Sequence, residues 1–389
     1  MQRRIAIFYF ALFGALGIFW PFFSLFLTSR GLSTGAATRV ISLYPIMTIV
    51  APPLFGLAAD AWRARGWLLR AASAGAAVAF AIFFAARREL VLLVLATALF
   101  SFARAPLASM TDAQTFDVLR REGKSYGRIR LWGSIGFLVA ALAGGELVDR
   151  TNIEWVMIAS LLALVAMAAA AWLIPAAHPH AEPRAWPAWR ALLAQRDLWW
   201  FLIAVALGQM AGATYDSCFS LHLKALGASG RFTGLAWAIG VVSEIMLMAL
   251  SARFIARIGA ERLFVLAVAG GVVRWTGMAL VRSPAAILAL QPLHGMSFGL
   301  YYVTGVTVLR NRAPAEAATA AQGLFASAFS VGSFVGMAAG GTILEQLGPG
   351  VLFGGAAVVA MLAVVASSAH ARTAAPAPAR AAGSAAGSR

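Results

Sequence analysis

Of 389 residues, 61% are hydrophobic and only 12% are charged, against roughly 25% charged in a typical soluble domain. That balance excludes a water-soluble fold. The formal charge of +16 does not reopen a nucleic-acid reading, because the Lys and Arg side chains sit in short clusters between apolar segments and build no aromatic-interleaved basic face.

The chain opens on Met1-Gln-Arg-Arg and an apolar run to about Leu27. It looks superficially like a signal peptide. The run is too long, has no small-residue cleavage site before Ser29-Arg30, and is followed by more apolar segments, so it reads as a retained first helix. The spacing predicts spans over 6–28, 39–59, 68–86, 90–111, 129–148, 153–174, 198–222, 232–252, 262–281, 285–306, 320–343 and 350–370. At 1.5 Å per residue each is able to cross a hydrocarbon core of about 30 Å. Bends are expected at Pro21, Pro52-Pro53, Pro106 and Pro292. The expected fold class is an all-α polytopic membrane protein of 12 transmembrane helices in two six-helix bundles.

The longest connection, 175–197, divides the chain into bundles 1–174 and 198–370, with a tail 371–389 whose Ala/Pro/Ser/Arg composition predicts disorder. His178 and His180 in the connection lack further ligands, so a solvated linker is expected there and no metal centre. Cys218 is the only cysteine; neither a disulfide nor a cysteine metal site is available, and no cofactor is implied. With the amino terminus inside, 21 of the 31 Lys and Arg residues fall on the inner side and 8 on the outer side. That bias puts both termini in the cytoplasm. Arg104 and Arg274 remain within spans.

After the second span the chain reads Gly56-Leu-Ala-Ala-Asp60-Ala-Trp-Arg63-Ala-Arg65. It resembles the Gly-x-x-x-Asp-x-x-x-Arg loop signature of the major facilitator superfamily, with Ala61 in place of the usual Arg. Ser251 to Ala260 is a degenerate counterpart without the acid. In this reading Gly56 allows two helices to approach closely. Asp60 and Arg63 take part in gating by holding a helix terminus or a neighbouring charge.

Ionisable groups within spans are costly and face a bundle interior or a wet cavity. Glu244, Arg274 and His294 lie nine to twelve residues into spans eight, nine and ten, which places each roughly 13 to 18 Å from its starting interface. An acid, a base and an imidazole thus reach similar depth. Parting of Arg274 from Glu244 would favour proton uptake by the carboxyl, so these three, with Asp216 in span seven as reserve, are the candidate proton-coupling set. In the first half, Asp112 and Arg130 either stay at the interface or line a central cavity, and Arg104, near Pro106, forms an electropositive site or pairs with Asp112. Trp20, Phe137 and Trp275 belong to a set of aromatics able to stack on a ring-bearing solute.

Two further segments, Tyr126-Gly-Arg128-Ile-Arg130-Leu-Trp132-Gly-Ser-Ile-Gly136 and Leu293-His294-Gly-Met-Ser-Phe-Gly299, resemble the major facilitator branch that contains lactose-permease-like oligosaccharide, nucleoside and phenylpropionate proton symporters. The resemblance covers about residues 5–370. It implies that Arg130 and Asp112 face the substrate, and that Glu244, Arg274 and His294 join recognition to proton coupling. Ser297 stands where lactose permease carries an acid, and Phe137 where it has the galactoside-stacking tryptophan. The pattern is nearer to the phenylpropionate group. The expectation is therefore a monomeric proton symporter of a small organic solute, such as an aromatic carboxylate, in a bacterial inner membrane. The alternatives are a nucleoside or oligosaccharide symporter, or a proton-coupled efflux antiporter. Its partners are the solute, protons and the lipid bilayer. No convergent nucleophile, base or metal set suggests an enzyme.

Overall fold

The computed structural model describes residues 2–62, 64–122, 126–174, 194–313 and 318–373, with every side chain among them except those of 60, 117–122, 318–320 and 373. Every regular element among these residues is helical. The order is α1 (Gln2–Ser29), α2 (Thr34–Ile41), α3 (Leu43–Ala61), α4 (Arg65–Ala86), α5 (Leu90–Glu122), α6 (Tyr126–Arg150) and α7 (Ile153–Ala171). Then follow α8 (Arg196–Ala225), α9 (Gly230–Ile258), α10 (Ala260–Leu280), α11 (Pro284–Leu290), α12 (Tyr301–Arg312) and α13 (Ala318–Thr373). Ten apolar stretches among the described residues are long enough to cross a membrane. Backbone groups in lipid must be satisfied within their own segment, which is why such runs become helices.

Two helical paths are interrupted where the sequence gives cause. Between α11 and α12 the chain passes through a 3₁₀ turn, Gln291–Leu293, and a π-helical stretch, Gly295–Leu300. Pro292 lacks the N–H that would continue the ladder. In α13 the break falls at Gly348, whose φ of 81° suits a residue without a β-carbon, and Pro349 follows. Pro21, Pro52, Pro53 and Pro106, by contrast, sit within continuous helices. An additional interruption separates α2 from α3 at Ser42.

Large apolar side chains are plentiful on the outside: Val91 is 77% exposed, Leu280 76% and Val78 70%. On a soluble protein such a surface would aggregate; here it meets lipid. Inside, one cluster gathers the aromatics Phe19, Phe80, Phe83 and Phe100 from α1, α4 and α5. A second gathers Phe201, Phe264, Tyr301 and Phe325 from α8, α10, α12 and α13. A third joins Phe137 and Ala141 of α6 to Tyr215, Phe219, Trp237, Trp275 and Phe353, and so ties the early helices to the later ones beside the site.

Glycine sets the helix spacing. A β-carbon on Gly136 would lie 2.3 Å from the Phe10 carbonyl oxygen, and one on Gly332 2.1 Å from that of Ala206. Backbone-to-backbone contact of this kind needs a residue without a side chain. The small-residue runs around Gly133, Gly144, Gly295 and Gly332 thus make the close contacts their sequence suggests. Gly56 does not: it lies on an exposed face of α3 with no atom within 4 Å of a β-carbon position. The Asp60 side chain and Arg63 fall outside the described residues, as do His178, His180 and most of the 175–197 connection.

Candidate functional site

A cavity of about 240 Å³ lies at mid-depth among α1, α6, α8, α9 and the irregular stretch before α12. Three helices each contribute a stripe to its wall. α1 presents Phe13, Leu16 and Trp20; α6 presents Arg130, Ser134 and Phe137; α9 presents Trp237, Val241 and Glu244. Steps of three or four residues bring successive side chains onto one helical face. Asp216 of α8 and His294 and Phe298 of the irregular stretch complete the lining.

The polar groups are arranged as two unequal walls. Arg130 lies on the α6 side, its guanidinium carbon 3.9 Å from the centroid of the Phe13 ring, a cation–π contact that orients a charge otherwise free to swing. Opposite it, Glu244 approaches His294, with Oε2 and Nε2 3.8 Å apart. His294 Nδ1 lies 2.9 Å from Arg274. A guanidinium only donates, so Nδ1 accepts and the proton of a neutral ring sits on Nε2, on the side of Glu244. Arg274 also donates to Ser297 Oγ at 3.0 Å and to Gln291 Oε1 at 3.1 Å, and its guanidinium carbon lies 4.2 Å from the Tyr215 ring centroid.

Glu244, His294 and Arg274 therefore belong to one contiguous cluster, but Arg274 does not oppose Glu244 directly as the depth argument anticipates. His294 stands between them. The reason is local: the 3₁₀ turn and π-helical stretch turn Gln291, His294 and Ser297 together toward α10, where they use the guanidinium's donors. Asp216 lines the large cavity and also a void of about 10 Å³ bounded by Arg274, Trp275 and Ser297.

Of the expected binding residues, Trp20, Arg130 and Phe137 are on the wall, joined from the coupling set by Asp216, Glu244 and His294. Three others stand behind it. Asp112 accepts from the Tyr9 hydroxyl and, at 2.8 Å, from that of Tyr126, and Tyr9 in turn stacks on Phe13 with ring centroids 6.4 Å apart. Arg104 donates to the Tyr44 hydroxyl and does not pair with Asp112; Tyr44 packs against Trp20 at 5.1 Å. Trp275 is 2% exposed and packs among Arg274, Tyr215 and Phe353. Trp237 and Phe298 belong only to the wider set of aromatics, and missing from the expected set altogether are Phe13, Leu16, Ser134 and Val241. Their signal was present as spacing from Trp20, Arg130 and Glu244, but apolar and hydroxyl side chains at such spacing are also ordinary bundle packing.

The sequence profile described as the MFS_1 like family matches residues 2–354. The chain belongs to that family and is a major facilitator superfamily transporter. Among curated members, it is 33% identical over 353 residues to a maltose permease of Geobacillus stearothermophilus, covering 89% of each chain. It is 29% identical over 366 residues to a probable 3-phenylpropionic acid transporter of Escherichia coli K12, covering 90% of this chain and 93% of that one. Among solved structures, a point mutant of the nucleoside transporter NupG superposes with a TM-score of 0.82 at 17% identity, over 95% of this chain and 99% of that one. At that identity the likeness establishes the fold alone. The protein is thus a multi-pass bacterial membrane transporter of the major facilitator type, and its work is transport rather than catalysis.

Proposed function

We propose that this major facilitator is a proton symporter of a neutral, hydroxyl-bearing ring solute, an oligosaccharide or a nucleoside, working by alternating access. One observation carries the reading: the same mid-depth cavity holds two carboxylates, Asp216 and Glu244, one guanidinium, Arg130, and the indole rings of Trp20 and Trp237. Sugar and ribose hydroxyls donate to carboxylates and accept from Arg, while the apolar face of a pyranose or a base packs on an aromatic ring. An anionic solute would add its charge to a space that already holds two acidic side chains against a single guanidinium. Similarity to a maltose permease and the fold shared with a nucleoside transporter agree with this preference.

In the mechanism, Glu244 takes a proton from the cavity while His294 and Arg274 hold its surroundings fixed. Neutralising the acid lowers the cost of moving it past apolar walls, and a bound solute that occupies the remaining donors and acceptors favours the same transition. Asp216, the reserve for the proton-carrying role, lines the same cavity near Arg274 and supports binding. The gating role of Asp60 and Arg63 remains part of the proposal. So does a twelve-span architecture of two six-helix bundles, 1–174 and 198–370, in which residues 284–312 form one interrupted span and α13 forms two, parted at Gly348. A cytoplasmic location of both termini follows from the charge bias, and a monomer suffices because the cavity is built within one chain.

A second reading is an aromatic carboxylate, favoured by Arg130 beside the Phe13 ring in a cavity also lined by Phe137 and by similarity to a 3-phenylpropionic acid transporter. Binding to purified protein decides between them. A neutral oligosaccharide or nucleoside is expected to bind with Glu244→Gln weakening it, and binding of aryl acids alone would transfer the proposal to the second class.

A further inference from the structure

At the end of the molecule where α6 finishes and α9 begins, early and late helices meet without side chains between them. A β-carbon on Gly145 would lie 2.4 Å from the Gly230 carbonyl oxygen, and one on Gly234 2.5 Å from that of Ala141. A second such meeting joins α2 to α13, where a β-carbon on Gly341 would lie 2.5 Å from the Thr34 carbonyl oxygen. The cavity therefore cannot open at this end unless both contacts part.

Each contact is fastened in the same way. Asp149, from the last turn of α6, accepts from the backbone N–H of Gly230 at 2.6 Å and of Arg231 at 2.8 Å. Ser229 caps the same helix by accepting from Phe232 at 3.1 Å, so the first three N–H groups of α9 are divided between its own serine and a carboxylate from the other half of the chain. At the second contact, Ser33 accepts from Ala36 at 3.2 Å, and Glu345 of α13 accepts from Gly35 at 2.8 Å. Side-chain links stand beside both: Arg231 with Glu146, and Arg39 with Thr342 at 2.8 Å. In the twelve-span reading the two helices that lend the carboxylates are six spans apart, and so are the two that are capped. The pattern repeats between the halves.

We propose that Asp149 and Glu345 are paired positioning residues of the transport cycle, each capping a helix of the opposite half and together latching this end shut. The free N–H groups of a helix start and their positive dipole end favour an anion. When the halves part, water replaces the carboxylates, so the caps bias the equilibrium without barring the open state. The inference rests on alternating access as proposed above, but not on proton coupling or on solute identity.

Spin labels at Thr151→Cys and Lys224→Cys on a Cys218→Ser background report the separation of the halves at this end, in protein reconstituted without solute. With Asp149→Ala and Glu345→Ala together, the ratio of a longer-distance to the short-distance population is expected to rise roughly tenfold, and Asp149→Asn with Glu345→Gln to fall between. Glu154→Gln removes an ion pair with Arg30 that lies within the first half and is expected to leave the distribution unchanged. An unaltered distribution in the milder double variant, folded by the same spectrum, overturns the latch, as does an equal shift from Glu154→Gln. A shifted distribution in a protein that moves solute without protons would keep the latch and remove the symport reading.

Discussion

At the level of single residues, the site is a division of labour around two arginines. Arg130 is on the cavity wall and available to a solute, whereas Arg274 is 1% exposed and spent on His294, Gln291 and Ser297. Arg274→Ala leaves the buried His294 Nδ1 without its donor, at a cost of about 1–3 kcal/mol, and empties the space of a fully buried side chain, although Gln291 Oε1 keeps the Tyr215 hydroxyl. It is expected to lower the melting temperature in detergent. Arg130→Ala removes a partner from an open cavity and is expected to leave melting within a few degrees while weakening solute binding about tenfold or more. Equal destabilisation by both would contradict the assignment. Glu244→Gln is expected to abolish proton-driven accumulation while solute exchange down its own gradient persists; counterflow set against uphill uptake separates the two. That Glu244, Arg274 and His294 reach one level was legible from the sequence, because equal rise per residue fixes depth; that they meet in one cluster is seen only in the structure. That His294 stands between the other two was not legible either, since it depends on the rotation introduced by a 3₁₀ turn and a π-helical stretch that no periodicity announces.

Among the elements, close helix contacts were legible where glycines repeat three or four apart and illegible where one stands alone. Gly136 touches α1 and Gly332 touches α8, while Gly56, the motif glycine, faces outward. Gly136→Val must push α1 away from α6 and is expected to destabilise by about 1–3 kcal/mol or more, seen as a lower melting temperature and poorer recovery from the membrane. Gly355, with nothing within 4 Å of its β-carbon position, serves as the control, and Gly355→Ala is expected to be neutral. Span positions were readable to within a few residues, since a run of apolar side chains in lipid has few alternatives to a helix. The break at Ser42 was missed although Pro45, which lacks the N–H that would reach the Ile41 carbonyl, marks it. Asp112 and Arg104 show a true limit: charge and depth were evident, but the tyrosines that engage them, Tyr9, Tyr126 and Tyr44, come from other helices, whose facing no spacing rule fixes.

For the whole molecule, the family and fold follow from composition, span count and loop motifs, and the substrate does not, because a cavity of shared architecture is retuned by a few wall residues. In the proposed site those residues are Glu244, Asp216 of α8, Arg130 and a set of aromatics drawn mainly from stripes of α1, α6 and α9. Above all, solute and proton are proposed to share this one cavity and to cross together. The pH outside proteoliposomes, followed on adding a maltose-class oligosaccharide, a nucleoside or an aryl acid with no imposed gradient, reports that coupling without intermediate steps. External alkalinisation is expected with a hydroxyl-bearing ring solute and is lost in Glu244→Gln; solute uptake with no proton movement in the unaltered protein would refute shared passage.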